Sequence, residues 1–343
     1  MDWRSQPKEA PSRRLATRQT WSVVCAIWLL AGMATWAADE PVLGLDAYMP
    51  VPAENPLTPE KAALGKRLFE DPILSKDRTV SCASCHDAHY GYADDQPVAV
   101  GVRKQKGVRR SPRLINRGYG RVFFWDGRAG SLEEQALKPI ENPIEMDLAL
   151  VEAVERLRAE PAYVAEFAEA FDGAAPGAET LSRALASYVR TIVSGASPYD
   201  RYLAGEQDAL DGAQKRGLEV FRGKGGCTLC HMGPNLTDEQ FHNTGVGWND
   251  GQTADEGRFA VTGAARDRGA FKTPTLRESA RSGPYMHDGS LETLADVIDF
   301  YDDGGKKNPQ LDRDMQPLEL TDQEKKDLER FLHALNGEIR EGL

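Results

Sequence analysis

The chain has 343 residues, of which 41% are hydrophobic and 28% charged, and its 53 Asp and Glu outnumber 42 Lys and Arg for a formal charge of −11. That length is enough for two domains of ordinary size. The acidic balance argues against a nucleic acid or an anionic membrane surface as partner, while a basic protein partner is compatible with the charge.

Taken in chain order, the first residues read as an export signal. Arg13, Arg14 and Arg18 precede an apolar run over 21–36, and the small residues Ala37 and Ala38 follow it. The run is shorter than the roughly 20 residues a membrane span needs. Residues 1–38 are therefore expected to be removed, taking Cys25 with them and leaving a periplasmic protein with no membrane span. A Pro-rich lead ends at Thr58 and Pro59, which suit the N-cap and first position of a helix carrying Leu64, Leu68 and Phe69 at helical spacing.

The pentapeptide Cys82-Ala83-Ser84-Cys85-His86 comes next, and Cys227-Thr228-Leu229-Cys230-His231 repeats it. Cys-x-x-Cys-His is the attachment pattern of a c-type haem, in which two thiols reach the porphyrin vinyl groups and the His lies beneath the iron. A zinc half-site or a redox dithiol are the plainer readings of one such pair. Here each pair is closed by a His at the same offset, and every Cys except Cys25 is used, which points to two covalently bound haem c groups. Between the motifs, residues 90–121 are rich in Gly, Pro and Arg and read as a long loop over a cofactor. Helical patterns follow over 131–137, 148–158, 161–171 and 179–194. Gly195, Ser197 and Pro198 then suggest a boundary. The second half offers a helix over 213–221, the second motif, a long loop over 233–271, and helices near 291–301 and 321–336. No stretch is strand-rich, so the expected fold is mostly α.

The halves also repeat one another. Gly65, Leu68 and Phe69 before the first motif match Gly217, Val220 and Phe221 before the second, Ser111-Pro112 matches Thr273-Pro274, and Trp125-Asp126-Gly127 matches His287-Asp288-Gly289. The expected architecture is two tandem cytochrome c-like haem domains with long loops, residues 39–200 and 201–343. In this register the residue 14 places after Trp125 is Pro139, and the one 14 places after His287 is Tyr301. Proline has no side-chain donor for iron, whereas a tyrosine phenolate is an anionic ligand that favours the ferric state. The second haem has a candidate sixth ligand and the first has none at that place. An open iron suits peroxide and a closed one suits electron transfer.

The residues 124–129, 134–136, 143–146, 241–245, 271–277 and 284–289 together resemble the bacterial di-haem cytochrome c peroxidases and their MauG-like branch. The resemblance implies that the N-terminal haem is the peroxidatic one, with Gln135 and Glu145 in its distal pocket. Glu145 would move the proton that O–O cleavage requires, with Gln135 positioning peroxide. It implies an inter-haem role for Trp125. Ordinary members carry a distal His in the first long loop, where Val102 stands here, and no His lies between His89 and His231. They place a Met where this chain has Tyr301. Both departures point to the MauG-like branch, which oxidises tryptophan in a partner protein. The family's bridging Ca²⁺ takes an Asn oxygen at the position of Arg110, which puts the ion in doubt and leaves backbone carbonyls near Ser282 and Pro284 to hold it. A tryptophan that MauG carries before its second motif is replaced by Gly225, and Trp248 reads as a loop anchor. His89 is expected in the loop at the haem edge and His287 near the second haem, with His242 and His333 structural.

The expected activity is a reaction with H₂O₂ at the open first haem and MauG-like oxidation of a residue, Trp foremost, of a periplasmic partner. The alternatives are a di-haem cytochrome c peroxidase fed by a small redox protein, and a non-catalytic electron carrier.

Overall fold

The computed structural model describes residues 43–45 and 48–343. The expected export signal, with Cys25, lies outside the described residues. Helix α1 (Pro59–Glu70) begins as its sequence dictates: Thr58 Oγ1 accepts from Lys61 N at 3.3 Å, and Pro59 fills a first position whose N–H would have had no partner. The first Cys pair sits on a single 3-10 turn, and an irregular loop leads to α2 (Leu132–Glu141). Then come α3 (Leu150–Ala159), α4 (Pro161–Ala170), α5 (Ala178–Thr191), β1 (Val193–Gly195) and α6 (Pro198–Leu203). The second half runs α7 (Gly212–Arg222), the second Cys turn, β2 (Phe241–His242), β3 (Trp248–Asn249), β4 (Gln252–Thr253), α8 (Phe259–Thr262) and β5 (Phe271–Lys272). Helices α9 (Leu294–Asp302) and α10 (Asp322–His333) and strand β6 (Glu338–Arg340) complete it. The fold is mostly helical, and among the described residues the strands form only two-stranded antiparallel ribbons.

Two hydrophobic cores form, one on each side of residue 200. Leu68, Phe69, Ile140, Leu157, Phe167 and Leu181 belong to the first, and Leu218, Phe221, Ile298, Leu328, Phe331 and Leu335 to the second. The glycine repeated ahead of each motif marks the same helix crossing twice. A Cβ on Gly65 of α1 would lie 2.0 Å from the Ala184 carbonyl oxygen of α5, and one on Gly217 of α7 would lie 1.9 Å from the Asp327 carbonyl oxygen of α10. Only glycine lets these backbones touch.

The helical pattern over 179–194 stops short of its expected end. Helix α5 ends at Thr191, because Ile192 turns extended and β1 pairs with β6 in the register Val193↔Arg340, Ser194↔Ile339, Gly195↔Glu338. The last strand thus leaves the second core and packs Ile339 against the first. A buried ion pair ties the halves further. Arg277 Nη1 and Nη2 donate to Asp200 at 2.7 and 2.8 Å, with the two side chains 2% and 1% exposed. The described residues form one compact unit.

Candidate functional site

A cavity of about 580 Å³ runs between the halves and is lined by Cys82, Cys85 and His86 on one side and Cys227, Cys230 and His231 on the other. The motif fixes its own shape: His86 N donates to Cys82 O at 3.0 Å and His231 N to Cys227 O at 2.8 Å, so each His follows its Cys pair in one tight turn. The four thiols are unpaired and half-buried. Burial pushes Cys82 and Cys227 up to about 12 and Cys85 up to about 11, which keeps them protonated and unlike the thiolates of a redox dithiol.

His86 Nδ1 donates to Tyr92 O at 3.2 Å, and His231 Nδ1 to Leu236 O at 2.9 Å. A carbonyl on Nδ1 fixes the tautomer and leaves Nε2 as the ligating nitrogen. Burial lowers both imidazoles, His86 to about 4, so both are neutral, as iron ligation requires. Two thiols, one oriented neutral His and an apolar wall, repeated twice around one cavity, fit two haem groups.

The cavity roof is built from the same helix face twice. Ser131 Oγ caps α2 by accepting from Glu134 N at 3.0 Å, and Thr293 Oγ1 caps α9 by accepting from Asp296 N at 3.1 Å. Helix α2 presents Leu132, Gln135, Ala136 and Pro139 to the cavity, and α9 presents Leu294, Val297, Ile298 and Tyr301. These are the i, i+3, i+4 and i+7 positions of each helix. Pro139 and Tyr301 therefore hold equivalent places. The Tyr301 hydroxyl makes no hydrogen bond to another described residue, and burial, reinforced by the nearby Cys230 and Cys227, raises it above the usual phenol range. Met286 and Met315 line the cavity too.

Gln135 and Glu145 line the cavity beside the first motif. Burial raises the Glu145 carboxyl, while Arg128 and a 2.6 Å hydrogen bond from Asn142 Nδ2 oppose that shift. Val102 is fully buried, its N–H donating to the Glu145 carbonyl at 2.8 Å, so this loop turns no titratable side chain toward the first motif at that point. Trp125 lies at the junction of the halves: Nε1 donates to Arg110 O at 2.8 Å, and its carbonyl accepts from Lys272 N at 2.8 Å. His287 lines the cavity stacked on Phe271, with ring centroids 3.5 Å apart, and burial pushes it down to about 4. His89 is exposed and outside the cavity, and His333 and Trp248 also stand away from it.

Several groups at the site had no signal in the sequence pattern. Arg109 bridges the halves, donating to Asp126 Oδ2 at 2.6 Å and in bidentate fashion to Asp255 at 2.6 and 2.8 Å. Glu239 joins Arg117 of the first long loop, at 2.7 Å, to Lys272, at 3.2 Å. Burial alone would raise Glu239, but the two cations outweigh it and hold the carboxyl at about 2. His242, read as structural, lines the cavity between Asp238 Oδ2 at 2.9 Å and Asp312 Oδ2 at 2.6 Å. The ligand atoms of Cys230, Asp238 and His242 lie within 4.8 Å of one another, a spacing compatible with a metal ion. Both His242 nitrogens already face carboxylates, however, and Cys230 belongs to the haem motif.

The residues do not fit a calcium ion. The carbonyl of Ser282, expected to offer a ligand together with that of Pro284, faces the Arg110 guanidinium at 3.5 Å instead.

The family model of the di-haem cytochrome c peroxidases matches residues 59–208. The methylamine utilization protein MauG of Methylorubrum extorquens is 43% identical over 330 residues, covering 92% of this chain and 93% of that protein. The chain belongs to the di-haem cytochrome c peroxidase family. The cytochrome c551 peroxidase of Pseudomonas aeruginosa is 35% identical over 324 residues, 90% of each chain. Among solved structures, a MauG-like protein associated with microbial copper homeostasis superposes with a TM-score of 0.80 at 34% identity, covering 86% of this chain and 95% of that one. Membership makes the protein an enzyme, a peroxidase-type oxidoreductase with two haem groups. No helix among the described residues is long and apolar enough to cross a membrane.

Proposed function

We propose that the protein is a periplasmic, MauG-like di-haem enzyme that reacts with H₂O₂ at its N-terminal haem and directs the oxidising equivalents to a residue, foremost a Trp, of a partner protein. The observation that carries this reading is the pairing of Pro139 and Tyr301 at equivalent places on α2 and α9. Cys82 and Cys85 would attach the first haem covalently with His86 as its iron ligand, and Cys227, Cys230 and His231 would hold the second in the same way. Tyr301 would offer the second a phenolate oxygen once its proton is given up to iron binding, whereas Pro139 would leave the first with space for peroxide. Haems bound there would supply iron for peroxide binding and O–O cleavage and for holding two oxidising equivalents.

The chain's own groups do the rest. Gln135 offers an amide to hydrogen-bond and orient peroxide. Glu145 takes the proton from the bound peroxide oxygen and returns it to the departing one, a transfer that needs a carboxyl within hydrogen-bond reach. Its raised affinity for a proton suits that exchange, and Asn142 holds the carboxylate in position. The buried Val102 removes the need to displace a side chain before peroxide enters. Trp125, bonded to both halves, gives an aromatic route between the haems.

A cytochrome c peroxidase fed by a small redox protein is the second reading. It is favoured by Gly225, which leaves no aromatic side chain at that point of the second haem's wall. Stoichiometric H₂O₂ added to the diferric holoprotein without a donor separates the two. Rapid formation of a long-lived species with a new near-infrared band, lost in Tyr301→Phe, supports the first. No reaction until one haem is reduced overturns it in favour of the second.

A further inference from the structure

We propose that the Arg110 guanidinium is a built-in cation at the junction of the two haem halves, occupying the place of a divalent metal and making the enzyme calcium-independent. Arg110 is 6% exposed, and its Nη2 faces a ring of oxygens drawn from both halves. It donates to Asp94 O at 2.5 Å, Ser282 Oγ at 3.2 Å, Gly283 O at 3.3 Å and Ser282 O at 3.5 Å. The buried Asp94 Oδ1 has no hydrogen-bond partner of its own. Carbonyl and hydroxyl oxygens gathered at one point are ligands that suit a hard divalent ion.

Charge decides between metal and side chain. Arg113 Nη2 also reaches Ser282 Oγ, at 2.9 Å, so two guanidinium groups meet at this cluster, while the Asp94 carboxylate is held by Ser111 Oγ at 2.9 Å and feels the Arg110 charge. A divalent ion among the same oxygens would face both positive charges at close range in a buried setting, where repulsion is poorly screened. A guanidinium does not lose its proton in a protein, so the charge is permanent and cannot be extracted.

The position of this cation matters for the inter-haem route. The Arg110 carbonyl accepts the Trp125 indole N–H at 2.8 Å, and the Arg110 N–H donates to His287 O at 2.7 Å. One residue thereby fixes the second-half loop through its side chain and Trp125 through its backbone. Arg110 is a positioning residue, doing through covalent attachment what a bridging ion would do through coordination.

The test is calcium dependence, which a merely structural arginine would not create when replaced. Holoprotein prepared in calcium and then desalted is analysed for metal, and its haem spectra are recorded before and after EGTA. The expected result is substoichiometric calcium and unchanged spectra. Arg110→Asn replaces the charge with an oxygen, and this variant should take up about one Ca²⁺ per chain by titration calorimetry and become EGTA-sensitive. Arg110→Lys, which keeps the charge, should remain insensitive. Stoichiometric calcium in the wild type, or an EGTA effect on it, overturns the proposal. So does an Arg110→Asn protein that carries both haems and ignores calcium. Should that variant fail to load haem, the wild-type metal analysis decides alone.

Discussion

Glu145 illustrates how environment rather than identity assigns a carboxylate its role. Burial raises its proton affinity, and the Asn142 hydrogen bond and the Arg128 charge pull it back. The base form receives the peroxide proton, so the rate of the peroxide reaction should fall as pH drops through a midpoint above the ordinary 4.5 of a glutamate. Asn142→Ala removes a bond that favours the ionised form, and stopped-flow pH profiles should show the midpoint moving upward. Glu145→Gln should slow the reaction about 10²–10⁴-fold while leaving the haem spectra of the resting protein unchanged. A loss below tenfold would remove Glu145 from the proton path. At this scale the sequence was eloquent about chemistry and silent about partners. Gln135, Glu145 and Trp125 follow from the family register, but the partnership of Asn142 and Arg128 with Glu145 becomes visible only when the chain is folded, because no spacing marks it.

Among the helices, the duplication has a physical content that the repeated letters foreshadow. Gly65 and Gly217 stand where α1 meets α5 and where α7 meets α10, at separations that admit no Cβ. Gly217→Ala should force those backbones apart and destabilise the second core by about 1–3 kcal/mol, the usual cost of overpacking. Thermal unfolding of the holoprotein measures it, and an unchanged midpoint would show that the crossing tolerates separation. The start of α1 was legible through its cap Thr58, and Ser131 and Thr321 cap α2 and α10 in the same way, their side chains accepting from the first turn. The ends were less so. Helix α2 runs through Pro139 to Glu141, although the pattern stops at Leu137, since Pro139 withholds only the N–H owed to the Gln135 carbonyl. Helix α5 stops early because Val193–Gly195 find a partner strand far along the chain at Glu338–Arg340. No local pattern announces a pairing of that range.

The whole molecule is held across its midline by charge. Arg277–Asp200, Arg109–Asp255 and Arg117–Glu239 each join residues more than 70 positions apart, and the sequence gives no periodic sign of any of them. Arg277 is the most enclosed, with its Nε on the Pro234 carbonyl at 2.8 Å and both terminal nitrogens on Asp200. Burial opposes the Asp200 charge and Arg277 outweighs it, holding the carboxyl below its usual range. Arg277→Ala would leave that carboxylate buried and uncompensated, a loss of about 3–5 kcal/mol by denaturant unfolding. An effect below 1 kcal/mol would mean that Asp200 finds water or another donor.

Above these links stands the asymmetry of two equivalent helices, Pro139 on one and Tyr301 on the other. Its most direct test is the stoichiometry of cyanide binding to the diferric holoprotein, followed optically in the wild type and in Tyr301→Ala. With one open and one closed iron, about one cyanide per chain is expected in the wild type and about two in the variant. Two in the wild type would contradict closure of the second site, and none would contradict an open first site. A variant that still binds one would pass the sixth position from Tyr301 to Met286 or Met315.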